Sequence, residues 1–195
     1  MVCGWLPYFA GKYPGSVGWL MAPGYFNPRV PPYLPHALDN GCFKGFDPEP
    51  YWRMLRRGRL LREPLWVVVP DALGDAEETM RYWRKYSERV RGYGYKNLAF
   101  VAQDGCEPNQ VPSNAYCIFI GGSTKWKLQN AHRFKGVAPW FHIGRVNSEA
   151  RYRWAKRIGA HSCDGSGWFR TWKNCQKFSE LFEPRQRNLV GFTIY

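Results

Sequence analysis

The sequence predicts an α/β fold: a closed barrel of parallel strands surrounded by helices. Three observations support this prediction. Short apolar runs of strand length alternate with stretches of helical periodicity, most of the runs are apolar throughout, and nearly every run ends in a polar or glycine-rich cluster. Continuous apolar runs are typical of parallel strands buried on both faces, and alternation of strand and helix is typical of a parallel sheet.

Eight segments have the length and composition of strands. The first 35 residues are rich in Gly, Pro and aromatic residues and contribute only one of the segments. The predicted strands are 16–21, 36–38, 65–69, 98–102, 116–120, 140–143, 160–163 and 192–195. Eight strands favour a compact (β/α)8 TIM-like barrel, and an open doubly wound sheet is the alternative. Because such barrels typically use roughly 250 residues, a chain of 195 residues is expected to hold little beyond the barrel itself.

Start and stop signals place helices between these strands. Asp47 and the proline after it begin a short helix, and residues 75–78 supply an N-cap and an acidic first turn for a longer one that ends at Gly92. Ser123 is expected to cap a further helix. Residues 147–159 repeat the plan of the long helix, and a C-terminal helix and tail are expected within 171–195.

Composition restricts the class of protein. The whole chain, 1–195, is one domain's length with 45% apolar residues, which argues against a disordered chain. No apolar run approaches the roughly 20 residues of a membrane helix. The N-terminal residues lack a basic segment followed by an unbroken apolar one, so no secretory signal is expected. The predicted location is the cytoplasm.

Six cysteines are scattered along the chain without any Cys-x-x-Cys pair. Several lie inside apolar runs, which predicts reduced, buried thiols rather than disulfides or a zinc site. The cysteines are Cys3, Cys42, Cys106, Cys117, Cys163 and Cys175. No metal and no cofactor is expected.

The charge predicts a polyanionic partner. The chain has 28 Lys and Arg against 15 Asp and Glu, a formal net charge of +13, and a basic surface gains affinity for nucleic acid by releasing counterions. Aromatic residues make up 17% of the chain. They are interpreted first as core, with base stacking as the alternative.

The polar clusters at the strand ends are the strongest functional signal. In a parallel barrel they converge on the face where the carboxyl ends of the strands meet, which is where such folds place their chemistry. The clusters are 39–41, 70–71, 103–105, 121–123, 144–145 and 164–166. Each also has a structural interpretation, as a turn, a helix cap or a close backbone approach. The four histidines show no metal-ligand spacing and are interpreted as structural or supporting residues.

These clusters carry a resemblance to the tRNA-guanine transglycosylases. Residues 38–43, Leu-Asp-Asn-Gly-Cys-Phe, resemble the family's Asp-Ser-Gly-Gly-Phe segment, and 158–164, Ile-Gly-Ala-His-Ser-Cys-Asp, resemble the segment that ends in its nucleophile. Residues 69–71, 101–105, 120–122 and 142–145 are similar, in order, to the family's strand-end aspartate, Val-Gln-Gly segment, Gly-Gly turn and Met-Gly-Val-Gly strand. The resemblance covers roughly two thirds of the chain and implies a (β/α)8 barrel that exchanges guanine for a 7-deazaguanine.

The resemblance also implies a role for each matching residue. Asp164 is expected to attack C1′ of the nucleotide and form a covalent glycosyl-enzyme, and Asp39 is expected to act as the acid/base. The residues expected to bind the base are Asp71, Gln103, Gly121, Gly122, Asn40 and Phe43. Gly122 is expected to offer a backbone N–H to the base.

Departures from the family pattern bear on the substrate. Asn40 and Cys42 replace the family's Ser and second Gly, and no Cys-x-Cys-x-x-Cys zinc cluster follows Asp164. The sequence therefore looks more similar to compact phage-type relatives that modify DNA, and DNA is favoured over tRNA as the polymer. For a phage-encoded protein the location is the host cytoplasm, and a homodimer is left open.

Phosphate contacts are expected from basic residues near the barrel mouth. Those expected to contact nucleic acid are Arg145, Lys125, Lys127 and Lys44. Three alternatives stay open on the sequence alone: a tRNA-guanine transglycosylase, a nucleoside glycosidase or deoxyribosyltransferase, and a non-catalytic basic barrel that binds nucleic acid.

Overall fold

Eight parallel strands close into a barrel in the computed structural model, which describes residues 5–168, 171–182 and 190–193. The strands follow one another around the barrel in sequence order, and β1 pairs with β8 to close it. They are β1 Val17–Met21, β2 His36–Leu38, β3 Val67–Val68, β4 Leu98–Ala102, β5 Cys117–Ile120, β6 Trp140–Ile143, β7 Ser162–Asp164 and β8 Val190–Thr193. The predicted TIM-like barrel is confirmed.

Six α-helices in the described residues accompany the barrel. They are α1 Trp5–Lys12, α2 Pro48–Gly58, α3 Ala76–Gly92, α4 Thr124–Asn130, α5 Glu149–Arg157 and α6 Trp172–Ser179. The side chains of Asp75, Ser123 and Ser148 cap α3, α4 and α5 by accepting backbone N–H bonds. The predicted starts of these helices are confirmed, since side-chain caps satisfy N–H groups that have no partner inside the helix.

Helix α1 precedes the first strand, in a segment for which no helix was predicted from the sequence. Helix α1 occupies residues whose aromatic, glycine and proline content has low helix propensity. Its stability comes from packing: Leu6 and Phe9 are buried, and the ring of Phe9 lies 5.9 Å from that of Trp172 on α6. Burial of an apolar face commonly outweighs propensity in short helices.

Five strands differ in their bounds from the prediction. Strands β1 and β5 begin one residue later, and β3 covers only Val67–Val68 of the predicted 65–69. Strand β7 begins two residues later than predicted, so Asp164 is its last residue rather than the first residue after it. Strand β8 covers Val190–Thr193, and residues 194–195 of the predicted strand lie outside the described residues. Short strands are assigned by their hydrogen-bonded partners, which the apolar pattern alone does not fix.

The side chains of the sheet divide between two cores. On β4, Ala99 and Val101 belong to the core inside the barrel, whereas Phe100 packs in the layer between sheet and helices. The inner core consists of Leu20, Ala37, Trp66, Val68, Ala99, Val101, Cys117 and Phe119. On β6 and β7, the side chains of Phe141, Ile143 and Cys163 face outward. Because side chains alternate along a strand, the polar residues next to them in the sequence face the barrel interior.

The helical layer is incomplete next to β4. In the described residues only a short 3₁₀ helix, Pro108–Gln110, lies between β4 and β5. A cavity of about 1020 Å³ lies beside it, lined by residues of α3 and of the segment after β4. This shortened connection is one way in which the chain builds a barrel with few residues.

Two further sequence predictions concern thiols and membranes. Cys42, Cys106, Cys117, Cys163 and Cys175 are buried free thiols, as predicted, and Cys3 lies outside the described residues. Within the described ranges, every helix is too short or too polar to cross a bilayer.

Candidate active site

A small cavity lies at the carboxyl ends of the strands. Its volume is about 100 Å³, below the roughly 300 to 1,000 Å³ of pockets for drug-sized ligands, and this size suits a single heterocyclic base. The lining residues are Asp39, Asn40, Cys42, Phe43, Asp71, Leu73, Val101, Gln103, Phe119, Gly121, Arg145 and Asp164. The fold therefore brings together three predicted carboxylates that are far apart in the sequence.

Asp71 is held by two amide side chains. Nδ2 of Asn40 donates to Oδ1 of Asp71 at 2.6 Å, and Nε2 of Gln103 donates to Oδ2. The backbone N–H groups of Cys42 and Gly74 donate to the amide oxygens of Asn40 and Gln103 at 2.9 and 3.0 Å. Both amides are thereby oriented with their NH₂ groups toward Asp71, which is presented to the cavity as a fixed hydrogen-bond acceptor.

Asp164 is buried at the cavity and accepts a hydrogen bond at each oxygen. Nε2 of His142 lies 3.0 Å from Oδ1, and the backbone N–H of Arg145 donates to Oδ2 at 3.0 Å. The backbone carbonyl of Asp164 accepts from Val146 N at 2.6 Å, which ties β7 to the segment after β6. These bonds fix both oxygens of the carboxylate in position, and a fixed orientation is what an attacking group needs.

Asp39 is in a different electrostatic environment. It follows β2 directly, and its side chain lines the cavity. Burial, followed by the negative charges of Asp71 and Asp164, raises the pKa of Asp39 from 3.8 to about 7. A carboxyl group with a pKa near neutrality can donate a proton in one step and accept one in the next. The cavity thus combines a carboxylate with a hydrogen-bonded partner at each oxygen and a second carboxyl group that is poised to exchange a proton.

The raised pKa of Asp39 predicts a pH dependence of stability. The unfolded side chain titrates near 3.8 and the folded one near about 7, so between these values the folded chain holds a proton that the unfolded chain lacks. The free energy of unfolding therefore falls as the pH rises through this window. Because Asp39 is half-buried and screening by solvent weakens the effect, we expect a loss of about 2 kcal/mol.

Urea unfolding of the wild type and of Asp39→Asn between pH 4 and pH 8 measures this loss. Subtracting the variant's curve removes the contributions of all other titrating groups. Parallel curves for the two proteins would contradict the raised pKa.

Comparison with known proteins adds no identification. No protein family model matches the chain, and no curated protein matches it either. Within the described residues, no group of three or more His, Cys, Asp or Glu side chains is arranged to hold a metal ion.

The remaining residues predicted to bind the base have mixed positions. Gly121 lines the cavity, and an added Cβ there would lie 2.6 Å from Val101 Cγ1 and 2.9 Å from Gln103 Nε2. Phe43 is at the cavity but 68% exposed. Gly122 is not among the described residues that line the cavity, and its carbonyl accepts a hydrogen bond from Arg145. The predicted backbone N–H contact of Gly122 with the base stays a prediction.

Arg145 has a structural task beside its predicted role. Its Nη2 donates to the carbonyl of Gly121 at 2.9 Å and also to that of Gly122, which joins the ends of β5 and β6. Its backbone adopts a φ of 58°, a left-handed conformation that is uncommon outside glycine. This conformation accompanies the N–H bond to Asp164, so local strain at Arg145 is coupled to the orientation of the carboxylate.

The expectation that Lys127 contacts phosphate is wrong. The residue is only 4% exposed, and its Nζ donates to the carbonyl of Gly144. Burial, followed by the nearby charge of Arg145, lowers the pKa of Lys127 to about 8. Lys127 lies on the face of α4 that packs on the barrel, and a lysine's charge alone does not reveal which face it occupies. Lys44 and Lys125 are exposed, as a phosphate contact requires.

The hydrogen-bond partners of His142 were not predicted from the sequence. Its neighbours are Asp164 and Ser162, whose Oγ lies 2.7 Å from His142 Nδ1, and Trp140 donates to the same oxygen. A signal was present: Ser162 and Asp164 are two residues apart on one buried strand and therefore share a face. The missing information was the register that places His142 opposite Ser162.

Proposed function

We propose that the protein is a base-exchanging transglycosylase that replaces guanine in DNA with a 7-deazaguanine derivative. The observation that carries the proposal is the convergence of Asp39, Asp71 and Asp164 on one base-sized cavity at the barrel mouth. Their environments differ: Asp164 accepts two N–H bonds, Asp71 is fixed by amides, and Asp39 has a pKa of about 7. A nucleophile, a reader of the base edge and an acid/base need these three environments.

The reaction proceeds in two displacements at C1′ of the nucleotide. In the first, a carboxylate oxygen of Asp164 bonds to C1′, the C1′–N9 bond breaks, and Asp39 gives its proton to the departing guanine. In the second, the incoming 7-deazaguanine loses its N9 proton to Asp39, N9 bonds to C1′, and the ester bond to Asp164 breaks. The sugar-phosphate backbone stays intact, and Asp39 regains its proton, as in retaining glycoside transfer.

Asp71 explains why both bases are accepted. Guanine and 7-deazaguanine present the same pair of donors, the ring N1–H and the 2-amino group, to a carboxylate. They differ at position 7, away from this edge. A fixed acceptor at Asp71 therefore binds the leaving and the incoming base alike, while the other purines lack this pair of donors.

The protein's net charge of +13 serves, in this proposal, to bind the nucleic-acid polymer. A base stacked in a duplex cannot reach a cavity at the barrel mouth, so the nucleotide must be extruded at a cost of a few kcal/mol. Phosphate contacts offset this cost. DNA is proposed rather than tRNA as the polymer, following the similarity of the motifs to the compact relatives that modify DNA.

Incorporation of a labelled 7-deazaguanine into duplex DNA tests the proposal. We expect label in the DNA together with release of one guanine for each base incorporated. Transfer into tRNA but not DNA would overturn the proposed polymer, and exchange on free nucleosides would favour a nucleoside deoxyribosyltransferase. No transfer to any of these acceptors would overturn the reaction itself.

Replacement of Gly121 by Ala is expected to weaken binding of the free base. The added methyl would displace Nε2 of Gln103 and so break its hydrogen bond to Asp71. Loss of a hydrogen bond to a charged group lowers affinity by about 10- to 100-fold, so KM for the incoming base should rise by that factor. Steady-state kinetics measure it, with Gly24→Ala as a matched control because a Cβ at Gly24 meets nothing within 4 Å. An unchanged KM in Gly121→Ala would contradict this role for Gln103.

DNA binding is expected to weaken steeply as salt increases. The exposed Lys44 and Lys125 follow β2 and β5 at the barrel mouth, and each phosphate contact adds about 0.9 to the slope of log affinity against log salt. Lys44→Ala and Lys125→Ala should each reduce the slope by about this amount. Fluorescence anisotropy with labelled DNA measures the slopes. Arg157→Ala is the control, because the last turn of α5 lies at the opposite end of the barrel. Equal slopes in all the proteins would remove both lysines from the interface.

A further inference from the structure

A chain of hydrogen bonds inside the barrel ends on Asp164. Trp140 Nε1 donates to Ser162 Oγ at 2.7 Å, and the same oxygen lies 2.7 Å from His142 Nδ1. On the other side of the imidazole, Nε2 lies 3.0 Å from Asp164 Oδ1. His142, Ser162 and Asp164 are all 0% exposed. The chain therefore reaches the carboxylate without passing through solvent.

The two ends of this chain fix its direction. The indole of Trp140 can only donate and an ionised Asp164 can only accept. Ser162 accepts from Trp140, so its own hydrogen is available to His142 Nδ1. Because an ionised Asp164 can only accept, the ring nitrogen next to it, Nε2, carries a proton. In a neutral imidazole Nδ1 is then the acceptor of the Ser162 hydroxyl. Each bond in the chain is then satisfied by a neutral histidine in one tautomer.

The imidazole is held in place by aromatic neighbours. The ring of Trp66 lies 4.8 Å from it, and the ring of Phe119 lies 4.4 Å from it. Burial is the largest effect on the pKa of His142 and lowers it, against the opposing effect of Asp164. His142 is absent from the described residues that line the cavity, whereas Asp164 and Phe119 are among them. The histidine therefore stands behind the nucleophile and does not touch the base.

We propose that His142 is a positioning residue that orients the Asp164 carboxylate through a neutral Nε2–H donor. The inference rests on the proposed function, in which Asp164 forms an ester with C1′. That ester consumes the negative charge of the carboxylate. An imidazolium at His142 would stabilise the charged carboxylate and oppose the attack, whereas a neutral N–H fixes the geometry with a smaller electrostatic penalty.

Nuclear magnetic resonance of the full chain with ¹⁵N-labelled histidine tests the tautomer without any activity assay. The His142→Gln variant identifies the His142 ring signals by their disappearance. We expect a neutral ring protonated at Nε2 between pH 6 and pH 8. A ring protonated at Nδ1, or at both nitrogens, would overturn the inference whether or not the protein exchanges bases.

Single-turnover kinetics test the positioning role. His142→Leu removes the donor and should slow formation of the glycosyl-enzyme by about 10- to 100-fold, the effect typical of residues that orient a reactive group from behind, with KM for DNA unchanged. His142→Gln restores an N–H near the position of Nε2 and should recover most of the rate. Cys163→Ala is the control, because Cys163 is next to Asp164 in the sequence but packs in the layer between the sheet and the helices.

The outcomes separate the two proposals. Equal losses in His142→Leu and His142→Gln, or a change confined to KM, would overturn the positioning role. If His142→Leu does not fold, Ser162→Ala replaces it: a slower step at unchanged KM is expected, and an unchanged rate would overturn the role. A wild type without exchange activity would overturn the proposed function, and the tautomer measurement would still stand.

Discussion

Replacement of Asp164 by Asn is expected to abolish base exchange, with a loss in kcat of at least about 10⁴-fold. The amide is nearly the same size as the carboxylate but has no negative charge to form a bond with C1′. The carboxylate accepts from both His142 and Arg145, and the NH₂ group of Asn can accept from neither. We therefore expect no covalent glycosyl-enzyme and a modest loss of stability, while DNA binding persists.

Quenched single-turnover mixtures reveal the covalent intermediate as protein bound to labelled DNA under denaturing conditions. Asp75→Asn is the matched control: Asp75 caps α3, and Asn caps a helix as well as Asp does. Full activity in Asp164→Asn, or a covalent adduct equal to that of the wild type, would remove Asp164 from its proposed role.

The location of the candidate site was predictable because the fold itself imposes it. Asp39, Gln103 and Gly121 each follow a buried strand directly, and parallel strands that close a barrel bring their carboxyl ends together. No contact between distant residues had to be known. The apolar runs and the polar residues after them were therefore enough to predict that these side chains share one cavity.

The direction of individual side chains was not predictable in the same way. Lys127 faces the barrel and Lys125 faces solvent, although they are two residues apart on a helix too short to show a clear apolar face. Likewise, His142 and Asp164 meet because β6 and β7 pair in one particular register. A shift of β7 by one residue relative to β6 would direct the Asp164 side chain to the other face, away from His142, and the register becomes evident only in the folded sheet.

In the proposed mechanism, the charge on Asp164 influences the proton affinity of Asp39. Asp39 has a raised pKa partly because Asp71 and Asp164 carry negative charge nearby, so loss of the charge on Asp164 in the ester should lower the pKa of Asp39. That change favours release of the Asp39 proton while the first base departs. It also leaves Asp39 ionised when the incoming base must give up its own proton.

Replacement of Asp39 by Asn is expected to slow base exchange by about 10²- to 10⁴-fold, the usual contribution of a general acid or base. In the proposed mechanism, formation of the glycosyl-enzyme by the wild type needs protonated Asp39. The rate of this step should fall above a pH of about 7, where Asp39 ionises. This fall in rate with pH should be absent in Asp39→Asn. Asp47→Asn is the control, since Asp47 is exposed and makes no side-chain bond to the start of α2.

A substrate that needs no proton to depart separates loss of the acid from general damage to the site. 7-Methylguanine already carries a positive charge, so its glycosidic bond breaks without help from Asp39. DNA with this base at the target position should restore glycosyl-enzyme formation in Asp39→Asn to near the wild-type rate, but not in Asp164→Asn. Transfer of the incoming base should remain slow in Asp39→Asn, because that step still needs a base. If 7-methylguanine fails to rescue the variant while wild type accepts it, Asp39 shapes the cavity rather than moving the proton.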